Sequence, residues 1–250
     1  MDEGIKLAVL FMAGLLSGFI NVMAGGGSTL TLPALIFLGL DSSLANGTNR
    51  VAVLIQNIAA IVAFKQERLH QFKLSLKLAL LTLPGAILGA LVAVKISDSL
   101  FQRLLGIVIM GIIITLIFPQ SNRKNGSAPK QPVSPIWLYG VMFGIGFYGG
   151  FIQAGVGFLL MAAFYHLLQA DLLHVNMHKV FVVFIFTLPA IVIFILTDNI
   201  SWVHALVLSA GNGLGAWCSA KVSVKKGEGV IRGVLLIAMF IMALKLLNIF

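Results

Sequence analysis

Long apolar runs separated by short polar breaks organise this chain. Runs near 5–24, 44–64, 71–94 and 100–118 are each close to the ~20 residues that a helix needs to cross a hydrocarbon core. A shorter apolar run occupies 28–40. None shows the strict alternation of a membrane barrel strand, and free backbone groups in lipid must be satisfied within a helix or a closed barrel. The pattern therefore predicts helices. A polar stretch, Pro119–Pro135, then divides the chain almost in half. A second series near 136–157, 158–170, 178–196, 204–221 and 231–249 repeats the same order of long and short segments.

The two series also align residue by residue. PGAILGALVAVKIS at Pro84–Ser97 matches AGNGLGAWCSAKVS at Ala210–Ser223, and GLLSGFIN at Gly14–Asn21 matches GFYGGFIQ at Gly146–Gln153. Farther on, Asn49-Arg50-Val51 answers His178-Lys179-Val180. This is the signature of an internal duplication, with a first transmembrane repeat over 1–118, a linker over 119–135 and a second repeat over 136–250.

Charge tests how the repeats are oriented, because short cytoplasmic loops collect Lys and Arg. Loop 65–77 carries Lys65, Arg68, Lys73 and Lys77, whereas its counterpart 197–203 carries Asp198 and no basic residue. Conversely, 95–103 holds Lys95 and Arg103 offset by Asp98, while its counterpart 221–232 holds Lys221, Lys225, Lys226 and Arg232. Opposite bias predicts inverted-topology repeats, with the linker cytoplasmic and both termini outside, an arrangement typical of transporters with a midplane site. The segments 28–40 and 158–170 are too short to span at 1.5 Å per residue and are expected to be half-helices or re-entrant. The fold class is thus an all-α polytopic membrane protein of two repeats, about five helical segments each.

Composition strengthens the membrane reading. Hydrophobic residues make up 59% of the 250 positions and charged ones 10%, against about a quarter charged in soluble domains. The first segment is read as a transmembrane helix and not a signal peptide, since Asp2 and Glu3 stand where a basic region belongs. The excess of 17 Lys and Arg over 8 Asp and Glu falls in separated loops, so no nucleic-acid partner is expected. The lone Cys218 permits no disulfide framework, and neither a metal nor another cofactor is expected. Self-association into a homo-oligomer is left open by the pattern.

Candidate chemistry concentrates at the breaks. Gly25, Gly26, Gly27, Ser28 and Thr29 interrupt the first apolar run just before a short helix, where exposed N–H groups and the positive helix end favour an anion. Glycines at that place also permit close helix packing. The second half offers Gln153 and Gly157 without the triple glycine. Asn49 and Arg50 recur in type as His178 and Lys179, and ionisable groups at membrane depth are costly enough to demand a cavity or a partner. Arg50 has the fork geometry to hold an oxyanion with two N–H bonds. The alternative for Arg50 and Lys179 is snorkelling to headgroups. Gln56 and Asn57 extend the polar path or bridge helices. Every Asp and Glu maps to a helix end or loop, which fits a neutral or positive cavity lining and opposes a cation site.

The residues AGGGSTLTLP at Ala24–Pro33, the Asn-Gly-Thr-Asn stretch at Asn46–Asn49 and the PGAILGA stretch resemble the TauE/SafE sulfite exporter family over nearly the whole chain. The resemblance implies a multi-helix inner-membrane permease for sulfite, organosulfonates or similar small anions. The second half departs from the family pattern, with GVGF in place of a fuller glycine motif. Alternatives are an uptake permease for another small anion, or an intramembrane enzyme with His178 as its base. The chain has no paired carboxylate, no HExxH and no Walker loop, so catalysis is not expected and energy must come from a gradient or a partner.

Overall fold

The computed structural model describes residues 2–117, 135–168 and 170–226. Among these residues the chain is wholly helical, in the order α1 Glu3–Ala24, α2 Ser28–Phe37, α3 Ser42–Gln66, α4 Phe72–Ala93, α5 Asp98–Ile117, α6 Pro135–Phe151, α7 Val156–Leu168, α8 Leu172–Leu196 and α9 Trp202–Lys226. Residues 119–134 of the expected linker and the tenth segment at 231–249 lie outside the described residues, and Pro135, expected to end the linker, begins α6. By length and apolarity α1, α3, α4 and α8 could each cross a bilayer. Their outward faces expose Leu16, Leu80, Val192 and many similar side chains, a surface suited to lipid and not to water.

Most element boundaries fall within two residues of the sequence expectation; α2 ends at Phe37 instead of 40, α9 runs on to Lys226 instead of 221, and two larger differences have a local cause. The helix expected over 136–157 ends at Phe151, because Gln153 (φ 65°) and Gly155 (φ 71°) adopt left-handed backbone that no helix can continue. The helix expected from 178 begins at Leu172, because Asp171 caps it by accepting from the His174 N–H at 2.9 Å.

The largest helix interfaces join the first half of the chain to the second: α1 with α9, α4 with α6, α3 with α9 and α4 with α8. Small residues make the closest of them. A Cβ added at Gly14 or Gly18 would strike the backbone of Leu208 or Asn212 on α9, and one at Gly211 or Gly215 would strike Phe11 or Leu15 on α1. The α4–α6 interface has the same construction, with Gly85 and Gly89 against Phe143 and Phe147, and Gly146 and Gly150 against Thr82 and Ala86. In lipid, where apolar burial does not drive helices together, such close approach supplies the association energy. The glycines in register between the two halves are therefore the ones that let helices of opposite halves touch.

Candidate functional site

Both first helices of the halves are broken, and the breaks meet. α1 ends when Gly25 (φ 87°) turns the chain, its N–H donating to the Asn21 carbonyl at 2.8 Å. The Asn21 Oδ1 then accepts from the Gly27 N–H at 3.1 Å, and α2 starts one residue later. α6 ends similarly, with the Ile152 and Gln153 N–H groups donating to the Tyr148 carbonyl and the Tyr148 hydroxyl donating to Ala154 O beyond the break. Gly25 and Gly157 face each other with no room for a Cβ on either. Two helix N-termini, at Ser28 and Val156, are thus brought to one place.

Buried cations hold the ends of the broken helices, each from the opposite half. Arg50 on α3, fully buried, donates Nη1 to Gly149 O (3.1 Å) and Nη2 to Gly150 O (2.5 Å) and Phe151 O (3.3 Å). Its guanidinium also lies 4.8 Å from the Phe194 ring centroid. Lys179 on α8 donates Nζ to Asn21 O (2.9 Å), Val22 O (2.8 Å) and Asn176 Oδ1 (2.7 Å). Asn46 and Asn176 add a bond each, to Phe151 O (2.8 Å) and Met23 O (3.3 Å). These carbonyls are the orphan acceptors of a helix C-terminus, which also carries partial negative charge, so a cation is the matching partner. Neither side chain snorkels.

A small cavity, with room for about one water molecule, lies where the breaks meet α3 and α8. Its polar lining comes from Asn21, Ser28, Gln56, Asn57, Gln153 and Lys179, with Gly157 and four valines completing the wall. No carboxylate lines it. Gln56 and Gln153 each bury an Oε1 without a hydrogen-bond partner among the described residues, while Gln153 Nε2 donates to Thr187 Oγ1 at 3.2 Å. Which amide atom faces the cavity can reverse by rotation, so these groups can present donors to a guest. The Ser28 and Gly157 N–H groups make no backbone hydrogen bond among the described residues.

Of the residues the sequence singles out, Ser28, Asn57, Gln153, Gly157 and Lys179 line the cavity, and Gln56 joins them. Gly25 makes the close crossing, Gly26 sits beneath the Phe158 ring and Gly27 packs on Ser17 and Asn21. Thr29 donates locally to Gly26 O (2.6 Å), and Asn49 accepts from Thr31 Oγ1 (2.6 Å), tying α2 to α3. His178 bonds Ser75 Oγ through Nδ1 at 2.8 Å and, like Arg50, is not part of the cavity wall. Asn21 is not among the singled-out residues, although it aligns with Gln153 in the repeat and could have been found that way.

Comparison with known proteins bears on what this cavity serves. The family model described as "Sulfite exporter TauE/SafE" matches residues 10–246. A Haemophilus influenzae protein named "Probable membrane transporter protein" is 30% identical over 249 residues, covering 98% of this chain and 96% of its own length. The Escherichia coli "Probable membrane transporter protein YfcA" is 28% identical over 257 residues, covering 99% of this chain and 91% of its own. A Sinorhizobium protein, "Probable membrane transporter protein ORF9", is 28% identical over 242 residues, covering 96% and 92%. No solved structure matches.

Proposed function

This chain belongs to the sulfite exporter TauE/SafE family and is a membrane transporter, and we propose that it is a secondary exporter whose cargo is a small anion such as sulfite or an organosulfonate, bound in the cavity between the two broken helices. The carrying observation is the cavity's composition: neutral amides, a hydroxyl and one ammonium, without a carboxylate, beside two helix N-termini. Such termini favour negative charge through free N–H groups and the helix dipole. Arg50 serves this site indirectly, by holding the end of α6 that places Gln153.

Inverted topology of the repeats in the inner membrane belongs to the same proposal. Supporting it, every large interface has an exchanged counterpart: α1–α9 answers α4–α6, and α3–α9 answers α4–α8. With loop 65–77 cytoplasmic, α2 and α7 return toward the side from which α1 and α6 came, and the site alternates in access as the halves rock.

The test is flux of sulfite and of a small alkylsulfonate in proteoliposomes. Ser28→Ala, Asn57→Ala and Gln153→Ala should each raise the half-saturating anion concentration about tenfold, the value of one lost hydrogen bond to a charged group. Unchanged saturation in all three variants would remove the cavity from the route. The Ser75–His178 contact offers a second, enzymatic reading with His178 as base. Ser75 Oγ also lies 3.2 Å from the Gln71 carbonyl, and donating its one proton there leaves the hydroxyl unactivated. Turnover of a labelled ester or sulfonate that disappears in both Ser75→Ala and His178→Ala would favour it.

A further inference from the structure

A second small cavity, again with room for about one water molecule, lies between α3, α4 and α8 at the end where loop 67–71 joins α3 to α4. Its polar wall is His70, Gln71 and Ser75; Arg68 in the adjoining loop and Lys65 and Lys73 on the flanking helix ends are exposed, and with Glu67 they leave that face with a basic excess. The two cavities share one lining residue, Val180. They follow the same stripe of α3, since Val53, Gln56 and Asn57 face the first and Ile61 and Phe64, one and two turns on, face the second. On α8, Lys179 and Val183 face the first while Met177 and Phe181 face the second. What separates them is one apolar layer, in which Val180 clusters with Val22, Ala60, Phe64 and Met177.

We propose that this second cavity is a vestibule through which the anion passes between the central cavity and the face bearing loop 65–77, with Val180 as the partition and His70 and Gln71 as a transient anion subsite. The inference rests on the anion-transport reading above. The polar groups of the vestibule again include no carboxylate, and the basic excess of that face attracts an anion from solution. The pinning of Ser75 to His178 holds α4 against α8 there, so the barrier the anion meets at this face before the halves rock is one small branched side chain. A single valine layer is a hydrophobic constriction of the kind that gates by excluding water.

The experiment uses the full chain with Cys218→Ser, Val180→Cys or Gln71→Cys in vesicles of both orientations, probed with a membrane-impermeant anionic thiosulfonate. From the loop 65–77 side both cysteines should react, Val180→Cys the more slowly and with protection by sulfite. From the opposite side Val180→Cys should react at least about tenfold more slowly, the factor that ~1.4 kcal/mol of extra barrier produces. Should Val180→Cys not fold, Ala60→Cys reports the same layer, and Val180→Ala should raise flux severalfold where Val180→Phe lowers it. Equal or faster labelling of Val180→Cys from the opposite face overturns the proposal, as does labelling from neither face together with unchanged flux in Val180→Ala. Absence of sulfite and sulfonate flux in the unsubstituted protein, with one-sided labelling intact, instead sinks the transport reading and leaves the access route standing.

Discussion

Arg50 spends both terminal nitrogens on three carbonyl oxygens at the end of α6, so its removal strands acceptors in a dry interior. Each buried unsatisfied group costs about 1–3 kcal/mol, and Arg50→Met should lower stability by roughly 3 kcal/mol, read as a fall in the unfolding midpoint in detergent. Arg50→Lys should fall between, since an ammonium can reach some of the same carbonyls without the planar fork. In both variants the surviving folded protein should still be stabilised by added sulfite, because the guanidinium is a positioning group. A variant that melts like the parent but no longer responds to sulfite would make Arg50 a ligand after all. The sequence marks Arg50 and Lys179 as a functional pair through their recurrence and the cost of charge in lipid. It cannot mark their partners, because those partners are backbone oxygens with no letter of their own, supplied by helices about a hundred or more residues away.

Among the elements, the broken helices carry the most specific expectations. Gly157 has no room for a side chain against the Gly25 backbone, so Gly157→Ala should cost about 1–3 kcal/mol or more by overpacking and abolish anion flux. Gly144, on the same half but with none of the described residues within 4 Å of where a Cβ would stand, should accept alanine at no cost and gain up to about 1 kcal/mol of helix propensity. Equal damage from the two substitutions would mean that glycine content, and not the crossing, is what matters. The start of α8 adds a pH dependence. Partial burial works to raise the Asp171 carboxyl, but hydrogen bonds from the His174 backbone and ring, with the ring's charge, outweigh it and hold the pKa below the ordinary value. A folded pKa lower than the unfolded one contributes stability that is complete above about pH 4 and is lost as pH falls through the folded value. The protection factor of the His174 amide, referred to the intrinsic exchange rate at each pH, should therefore fall in acid, and Asp171→Asn, which keeps an acceptor at the cap, should flatten that profile. The sequence places most boundaries within two residues because apolar runs and breakers coincide there. It misses the end of α6 because Phe151 and Ile152 are apolar, and because Gln153 adopts a left-handed backbone that its residue type does not announce.

For the whole molecule, what matters is how the first and second halves of the chain are joined. The loops after α3 and α8 have the same backbone: Leu69 N–H bonds Phe64 O and Asn199 N–H bonds Phe194 O, each across a left-handed residue, Arg68 in one and Asp198 in the other. One loop shape with opposite charge is what the positive-inside rule asks of inverted copies. The alignment of glycines between the halves is legible in the sequence, but the exchange of partners is not, since Gly14 and Gly18 could equally have packed within their own half. Among the described residues the glycine faces of α1 and α4 are covered by α9 and α6, and the carbonyls ending α1 and α6 are satisfied by Lys179 and Arg50 of the other half. A half by itself would present these close-packing faces and bare helix ends to lipid, where unsatisfied carbonyls cost several kcal/mol each. Residues 1–118 and 119–250, expressed as separate chains, should each be degraded or aggregate alone, yet co-purify through a tag on either and restore anion flux when produced together. A first half that is stable, monodisperse and helical by itself would show that the exchanged interfaces are not what completes the fold.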